Sequence, residues 1–499
     1  MSKKILTYLL VTLAITSLFY DEFWGLNAFL SAIIFIIGIV ITTDKTKRNT
    51  NLNSFHWWFA VFLFVANGFA SFYIHNQFSG ILFYFSLFYF AAINAVANQS
   101  LPIGTIQGTY SFFTGFYNLT TLIGERLEKS KTTAENKKWT KSLIYIIPII
   151  IFIIFLKLYQ TADETFYEWT KFINLDWVSW GFIGFFLLLT AILYGIFFLT
   201  PNEALVTIEN KASNTISNNY DDKAQRYMGI ENEGKIAKSI LVMLILMLGL
   251  YNFIDLRFIF SELYLPNADF RYSALLHGGV DALIFSIVFV ILIISYLFRG
   301  QLNFRASKSL KIVAIIWLAM NLLMIATTSI KAAEYITHWG LTYKRIGVYI
   351  YLILATAGLL LTIIKVLKIK SFWFLLRNTS LAFFTCFTLM GLIDWDKRIV
   401  SYNLQLSPTQ IDFNYLHNLG QDTYPDLLDY YRINNQMPHI KSDPELWNNV
   451  FNNFDMARER LRYKKTISSW RSMVWREHTL LNRMNLYQLK YKKQFYRGS

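Results

Sequence analysis

The sequence predicts an all-α fold: a polytopic membrane helix bundle of about eleven transmembrane helices with a soluble, mainly helical C-terminal tail. Three observations predict it. Of 499 residues, 54% are hydrophobic and 18% aromatic, and only 16% are charged, against about 25% charged in soluble chains. Mean hydropathy is +0.35. The apolar residues also gather into runs of membrane-spanning length, roughly 17–25 residues. This composition excludes disorder, collagen-like structure and a disulfide scaffold. The single cysteine, Cys386, can form no intrachain disulfide. The net charge of +15 is read as membrane topology, and no nucleic-acid partner is expected.

In chain order the expected spans are 5–20, 25–42, 56–74, 81–97, 143–159, 177–200, 237–258, 273–298, 309–329, 348–367 and 372–393. The first follows Lys3 and Lys4 and is short. No small-x-small cleavage site follows it, so it reads as a retained signal anchor. Residues 101–123 are half apolar and contain glycine, and they read as an interfacial or re-entrant segment. Six spans make an N-terminal bundle over 1–200. The polar, Asn- and Ser-rich stretch 201–236 reads as a flexible cytoplasmic linker. Five spans over 237–393 form a second bundle, and 394–499 form the tail. With the N terminus cytoplasmic, 23 Lys and Arg fall in inside segments and 7 in outside loops. That bias orients the chain in the membrane with the N terminus cytoplasmic and the tail extracytoplasmic.

The tail changes sign along its length. Residues 394–450 carry 4 basic and 8 acidic side chains, and 451–499 carry 12 and 3. Tyr463, Ile467, Trp470, Val474, Leu481 and Met484 form a near-heptad stripe. Two placements follow: a helix capping the acidic half of the tail, or a basic amphipathic helix on anionic headgroups.

Ionisable groups near or within spans are costly and mark functional candidates. They concentrate at the expected outer ends of four consecutive spans. Asp255 and Arg257 end the seventh, and His277 and Asp281 begin the eighth. Lys331, Glu334, Tyr335 and His338 follow the ninth, and Thr342, Lys344 and Arg345 lead into the tenth. The candidate polar cavity comprises Asp255, His277, Asp281, Glu334, Tyr335, Thr342, Lys344 and Arg345. The alternative is an ion-pair network that only fixes the helix ends. Gly340 allows a turn and Thr342 can cap the following helix. The Arg345 fork can grip Asp255, Asp281 or an external anion. His277, Asp281, Glu334 and His338 are suitable metal ligand types, but no HExxH-like string accompanies them, and no metal or cofactor is expected. Asp21-Glu22 sits in a loop too short for a glycosyltransferase site. P-loop, Rossmann and GxSxG strings are absent from the sequence. Arg377 is expected to snorkel or pair internally, and Cys386 to act as a small apolar residue.

Residues 321–348 resemble a family of bacterial multi-pass membrane proteins catalogued as a domain of unknown function (number forty-one seventy-three, related to forty-one fifty-three). The shared features are Asn321, Tyr335 and the string Gly340, Leu341, Thr342 and Arg345. Asn252 and Asp255, His277, Gly279 and Ser286, and Arg377-Asn378 agree as well. So do Tyr402-Asn403 and Asp412, Tyr415 and Leu416. The resemblance covers roughly 240–430. Ala332 and Asp394 depart from its pattern. It implies the architecture and no activity.

Three functions are weighed. The first is a non-enzymatic protein, transporter-like, lipid-handling or sensing, with an outward polar cavity holding an anionic lipid or small anion near Lys344 and Arg345. The second is a scaffold or assembly factor binding a protein through 394–499. The third is an enzyme on a lipid-linked substrate, with His277 as base.

Overall fold

The computed structural model describes residues 3–129, 148–149, 151–153, 155–173, 179–216, 229–264, 271–299, 302–305, 308–434 and 444–495. Among them regular structure is helical, apart from one isolated bridge between Thr215 and Lys370. Among the described residues seven helices are long and apolar enough to cross a membrane.

The first bundle comprises α1 (Lys3–Phe19), α2 (Leu26–Thr42), α4 (Phe55–Tyr73), α5 (Gln77–Ala95), α6 (Leu101–Lys129) and α7 (Trp180–Phe197), with the short basic α3 (Lys45–Leu52) between α2 and α4. Their inward faces alternate small and large residues. Ala28, Ala32 and Ala60 are fully buried against Phe35, Phe64 and Phe90, which meet edge-on and stacked at 5.8–6.4 Å. In lipid, such small–large packing replaces the hydrophobic drive between helices. Gly115 of α6 crosses Gly195 of α7 so closely that a Cβ on Gly115 would lie 2.7 Å from the Gly195 Cα.

The second bundle comprises α9 (Ile230–Tyr264), α10 (Arg271–Leu297), α11 (Lys308–Trp339) and α12 (Tyr343–Leu367). It has its own core around Leu241, Ile294, Ala314, Leu318 and Leu359. The last membrane helix, α13 (Phe372–Gly391), follows α12 but also packs on the first bundle. Its Leu381 and Phe384 lie against that core, and Asn67 donates to Thr388 Oγ1 at 3.2 Å.

Of the other four expected spans, 5–20 and 25–42 are the 17-residue helices α1 and α2. Span 273–298 lies on α10. Much of 143–159 falls outside the described residues. Segment 101–123 is part of one continuous helix, with no break for a re-entrant turn. Gln107 and Asn118 of α6 both donate to Thr200, just beyond α7. Gly104 and Gly108 of α6 pack on Tyr89 and Phe88, so α6 runs beside α5.

The contacts separate the bundle into two ends. At one, Lys4 pairs with Asp44 at 3.1 Å and Ser54 donates to Asn98. There α8 (Glu203–Lys211) is held through Glu209, which pairs with Arg377 at 2.8 Å and accepts from Ser100 Oγ at 2.6 Å. Arg377 therefore pairs internally, as expected. The linker is not loose over 202–216. A half-buried Arg377 requires its carboxylate partner, and Ser371 donates to the Ser213 carbonyl beside it. Residues 217–228 lie outside the described set.

At the opposite end sits the tail: α14 (Trp395–Asn403), α15 (Phe413–Asn418), α16 (Tyr424–Asn434), α17 (Pro444–Ile467) and α18 (Trp475–Phe495). Its core of Val400, Leu416, Leu428, Phe454 and Met484 also includes Ile346 from membrane helix α12. The single stripe expected over 463–484 is split. Helix α17 ends at Ile467, a 3-10 turn covers Trp470–Ser472, and α18 starts at Trp475. Val474, Leu481 and Met484 are buried, whereas Tyr463, Ile467 and Trp470 are 51–65% exposed. Helix α18 caps the acidic half, with Arg483 forked onto Asp426 at 2.7 and 3.0 Å.

Candidate functional site

A polar seam runs between α9 and α11. Asn252 and Asp255 project from α9, and Asn321, Thr327, Thr328 and Lys331 from α11. All but Lys331 are 8% exposed or less. The Lys331 ammonium donates to Asp255 Oδ2 at 2.8 Å and Thr327 donates to the same oxygen at 3.1 Å. Asn252 donates to the Met320 carbonyl at 3.0 Å. A buried carboxylate keeps its charge only with such a cation and donor set.

One turn after Lys331 comes Tyr335, whose ring lies 4.2 Å beneath the Arg345 guanidinium. Thr327, Lys331 and Tyr335 stand four apart, so one face of α11 carries all three. Helix α11 ends at Trp339, and Arg345 donates to the carbonyls of Trp339, at 2.7 Å, and Gly340. A cation at a helix C terminus also meets the favourable end of its dipole. Gly340 turns the chain at φ +79°. A Cβ there would be strained and would strike Asn403 Oδ1 at 2.5 Å. Thr342 caps α12 through the Arg345 N–H.

The tail bolts onto this turn. Asn403 Oδ1 accepts from Leu341 N at 2.6 Å, and its Nδ2 donates to Leu341 O at 2.9 Å. Tyr415 Oη accepts from Tyr343 N at 2.9 Å, and Asp412 caps the helix carrying Tyr415. Tyr343 Oη donates to Asp396 at 2.6 Å. Beside it, Arg476 of α18 stands among Asp394, Asp396 and Asp422 at 3.7, 3.4 and 3.3 Å. Burial pushes the Asp422 carboxyl up to about 6, with Arg476 opposing and the neighbouring carboxylates adding. Burial likewise raises Asp396. A second clasp holds Glu22 to Arg471, at 2.5 Å, and to Ser469 and Ser472. Burial opposes the Glu22 charge, yet these donors hold its carboxyl below the usual range.

The family comparison matches "Domain of unknown function (DUF4153)" over residues 6–430. The chain belongs to this family. The match takes in the first bundle as well as the region 240–430, and the family is number forty-one fifty-three. No curated protein and no solved structure matches the chain. In this family member two of the strings that carried the resemblance meet in space, and Arg377-Asn378 lies apart from them at the other end of the bundle. Gly340, Leu341, Thr342 and Arg345 form the turn that Asn403 and Tyr415 grip. Asn252, Asp255 and Asn321 line the seam, where Lys331, one helical turn before Tyr335, holds Asp255. Arg471 and Arg476 lie beyond the matched region.

The expected cluster is thus partly assembled and partly redrawn. Asp255 pairs with Lys331, not with Arg345. Lys331 lies in the seam on the face of α11 that meets α9, while Arg345 is held by carbonyls and the Tyr335 ring. Tyr335 and Thr342 join Arg345. Glu334 and Lys344 are exposed. The side chains of His277 and Asp281 lie outside the described residues. Among the described residues no group of three or more His, Cys, Asp or Glu is placed to hold a metal. Sequence reasoning missed Arg476 and its three aspartates. Their only signal was the tail's change of sign, because the partners lie 54–82 positions apart.

Proposed function

We propose that this family member is a non-enzymatic protein of the bacterial inner membrane, transporter-like or sensing, whose polar seam is coupled to an extracytoplasmic tail. The observation that carries the reading is α11 itself. One face places Lys331 on Asp255 and, a turn later, Tyr335 under Arg345 at the turn gripped by Asn403 and Tyr415. A change in charge or occupancy at the seam would move the tail, and a load on the tail would move the seam. The charge bias supports a cytoplasmic N terminus and an extracytoplasmic tail at the opposite end. Lys344 remains the exposed cation for an anionic headgroup or small anion near the seam.

The test separates fold from function. Lys331→Met leaves Asp255 buried without its cation and should lower stability by roughly 3–5 kcal/mol. The double variant Asp255→Leu/Lys331→Met should restore the melting temperature, since apolar replacement of a buried pair is often neutral. Both are then tested for complementation of a deletion strain scored for growth under pH and osmotic stress. A stable double variant that fails to complement supports the seam as functional. One that complements fully refutes it and leaves the scaffold reading, which the rigid mounting of the tail favours. Deleting 405–499 is a poor discriminator, because the tail core covers Ile346 of α12.

A further inference from the structure

We infer that the hinge between α17 and α18 is a membrane foot, with Tyr463, Ile467 and Trp470 seated in the headgroup region of an anionic phospholipid leaflet. The inference does not depend on the seam or on which side of the membrane the tail occupies.

Depth is fixed by the clasp on the first two helices. Arg471 donates to the Ser17 carbonyl in the last turn of α1. Ser469, Arg471 and Ser472 hold Glu22 in the connection that follows. The Met473 carbonyl accepts from Leu26 N, the first residue of α2, at 2.9 Å. Residues 469–473 are therefore pinned at the junction of α1 and α2, the helices of the first two expected spans. Trp470, 63% exposed, sits inside that pinned segment. Tyr463 and Ile467, 65% and 51% exposed, precede it on α17. Phe23, 48% exposed, lies next to Glu22, and the Lys464 ammonium stands 5.6 Å from its ring centroid.

These side chains continue the apolar outer face of α1, where Leu6, Leu10 and Leu13 are 43–56% exposed. An aromatic and aliphatic patch at that level matches the interfacial belt of membrane proteins. Its flanking charges choose the lipid. Arg462 and Lys465 are exposed beside Tyr463 and Ile467, a basic–apolar pattern that binds anionic headgroups. A lipid leaflet is the occupant continuous with a face already lipid-exposed.

The test uses the full chain in nanodiscs. In a Cys386→Ala background, Trp470→Cys, Tyr463→Cys and Met456→Cys each carry a solvent-sensitive fluorophore. Met456 is also exposed and lies eleven residues, roughly 16 Å, back along α17 from Ile467. With lipids brominated near the headgroup, emission at 470 and 463 should fall at least twofold and that at 456 should hold. Raising the anionic lipid fraction should deepen quenching at 470, and Arg462→Ser/Lys465→Ser should remove the gain. Unquenched labels at both 470 and 463, or equal quenching at 456, would overturn the foot. Quenching indifferent to lipid charge would overturn its anionic preference.

Discussion

Asp255 and Lys331 meet one to one, 2.8 Å apart, with side chains only 12% and 11% exposed. Around Arg476 the ratio is different: three aspartates, 12–21% exposed, share a guanidinium that is itself 22% exposed. The first arrangement neutralises charge inside a membrane bundle. The second leaves excess negative charge at a joint between the bundle and a soluble module. Lipid tolerates little uncompensated charge. At the joint, burial and the neighbouring carboxylates raise the Asp422 carboxyl while Arg476 opposes them. The seam's charges are matched, whereas at the joint one guanidinium serves three carboxylates, one of them with its carboxyl pushed up by burial.

The sharpest way to break that contrast is Arg476→Met. It leaves Asp394, Asp396 and Asp422 together without their guanidinium, and removal of one partner from a buried charge set costs roughly 3–5 kcal/mol. The melting temperature at pH 8 should fall, and α17 and α18 should gain protease sensitivity. The defect should shrink at pH 5, where Asp422 is protonated. A defect equal at both pH values would show that Asp422 does not titrate as the joint's geometry requires.

Asp422→Asn probes the same site with a smaller effect. The folded carboxyl sits near 6 against an ordinary 3.8. Because the folded state holds this proton more tightly, stability falls as pH rises between those values and the full penalty applies above 6. The charged and polar groups facing the site are Asp394, which caps α14, Asp396 from α14, Arg476 and Glu477 from α18, and Tyr343 from α12. Replacing the carboxyl removes a penalty of at most about 3 kcal/mol. Melting at pH 7.5 should therefore rise, with little change near pH 4. A lower melting temperature at pH 7.5 would mean that the Asp422–Arg476 attraction exceeds the desolvation cost.

The two regions also differ in how far the sequence discloses them. Asp255 stands out because a carboxylate within an apolar run is costly wherever it ends up. The i, i+4 spacing of Lys331 and Tyr335 fixes their shared face before any fold is known. Asp422, by contrast, lies in a soluble segment where acidic residues are ordinary. Its pairing with Arg476 depends on the break at Ser468–Val474, which turns α18 back over the joint. The heptad stripe obscured that break, since Tyr463 and Met484 fit one helix as well as two. Nor does residue order show that Arg345 faces backbone carbonyls. The reason is the left-handed turn at Gly340, which brings the end of α11 within reach of the fork.

The smallest effect belongs to Arg345, and it tests whether that turn is structural. Its guanidinium donates to the Trp339 and Gly340 carbonyls and covers the Tyr335 ring. Arg345→Gln removes the charge, the fork and the cation–π contact, and a charged hydrogen bond contributes about 1.5–3 kcal/mol. Arg345→Lys keeps a cation at the C terminus of α11, which retains a dipole interaction of about 0.3–1 kcal/mol and part of the ring contact, but loses the planar fork. Melting temperatures in detergent should thus rank wild type, then Arg345→Lys, then Arg345→Gln. If Arg345 instead served an external anion, Arg345→Lys would melt like the wild type and fail to complement the deletion strain. The Arg345 and Tyr343 N–H groups at the start of α12 already donate to Thr342 and Tyr415. The ranked loss is therefore the expected outcome, and an unchanged melting temperature with lost complementation would return Arg345 to the ligand-binding role.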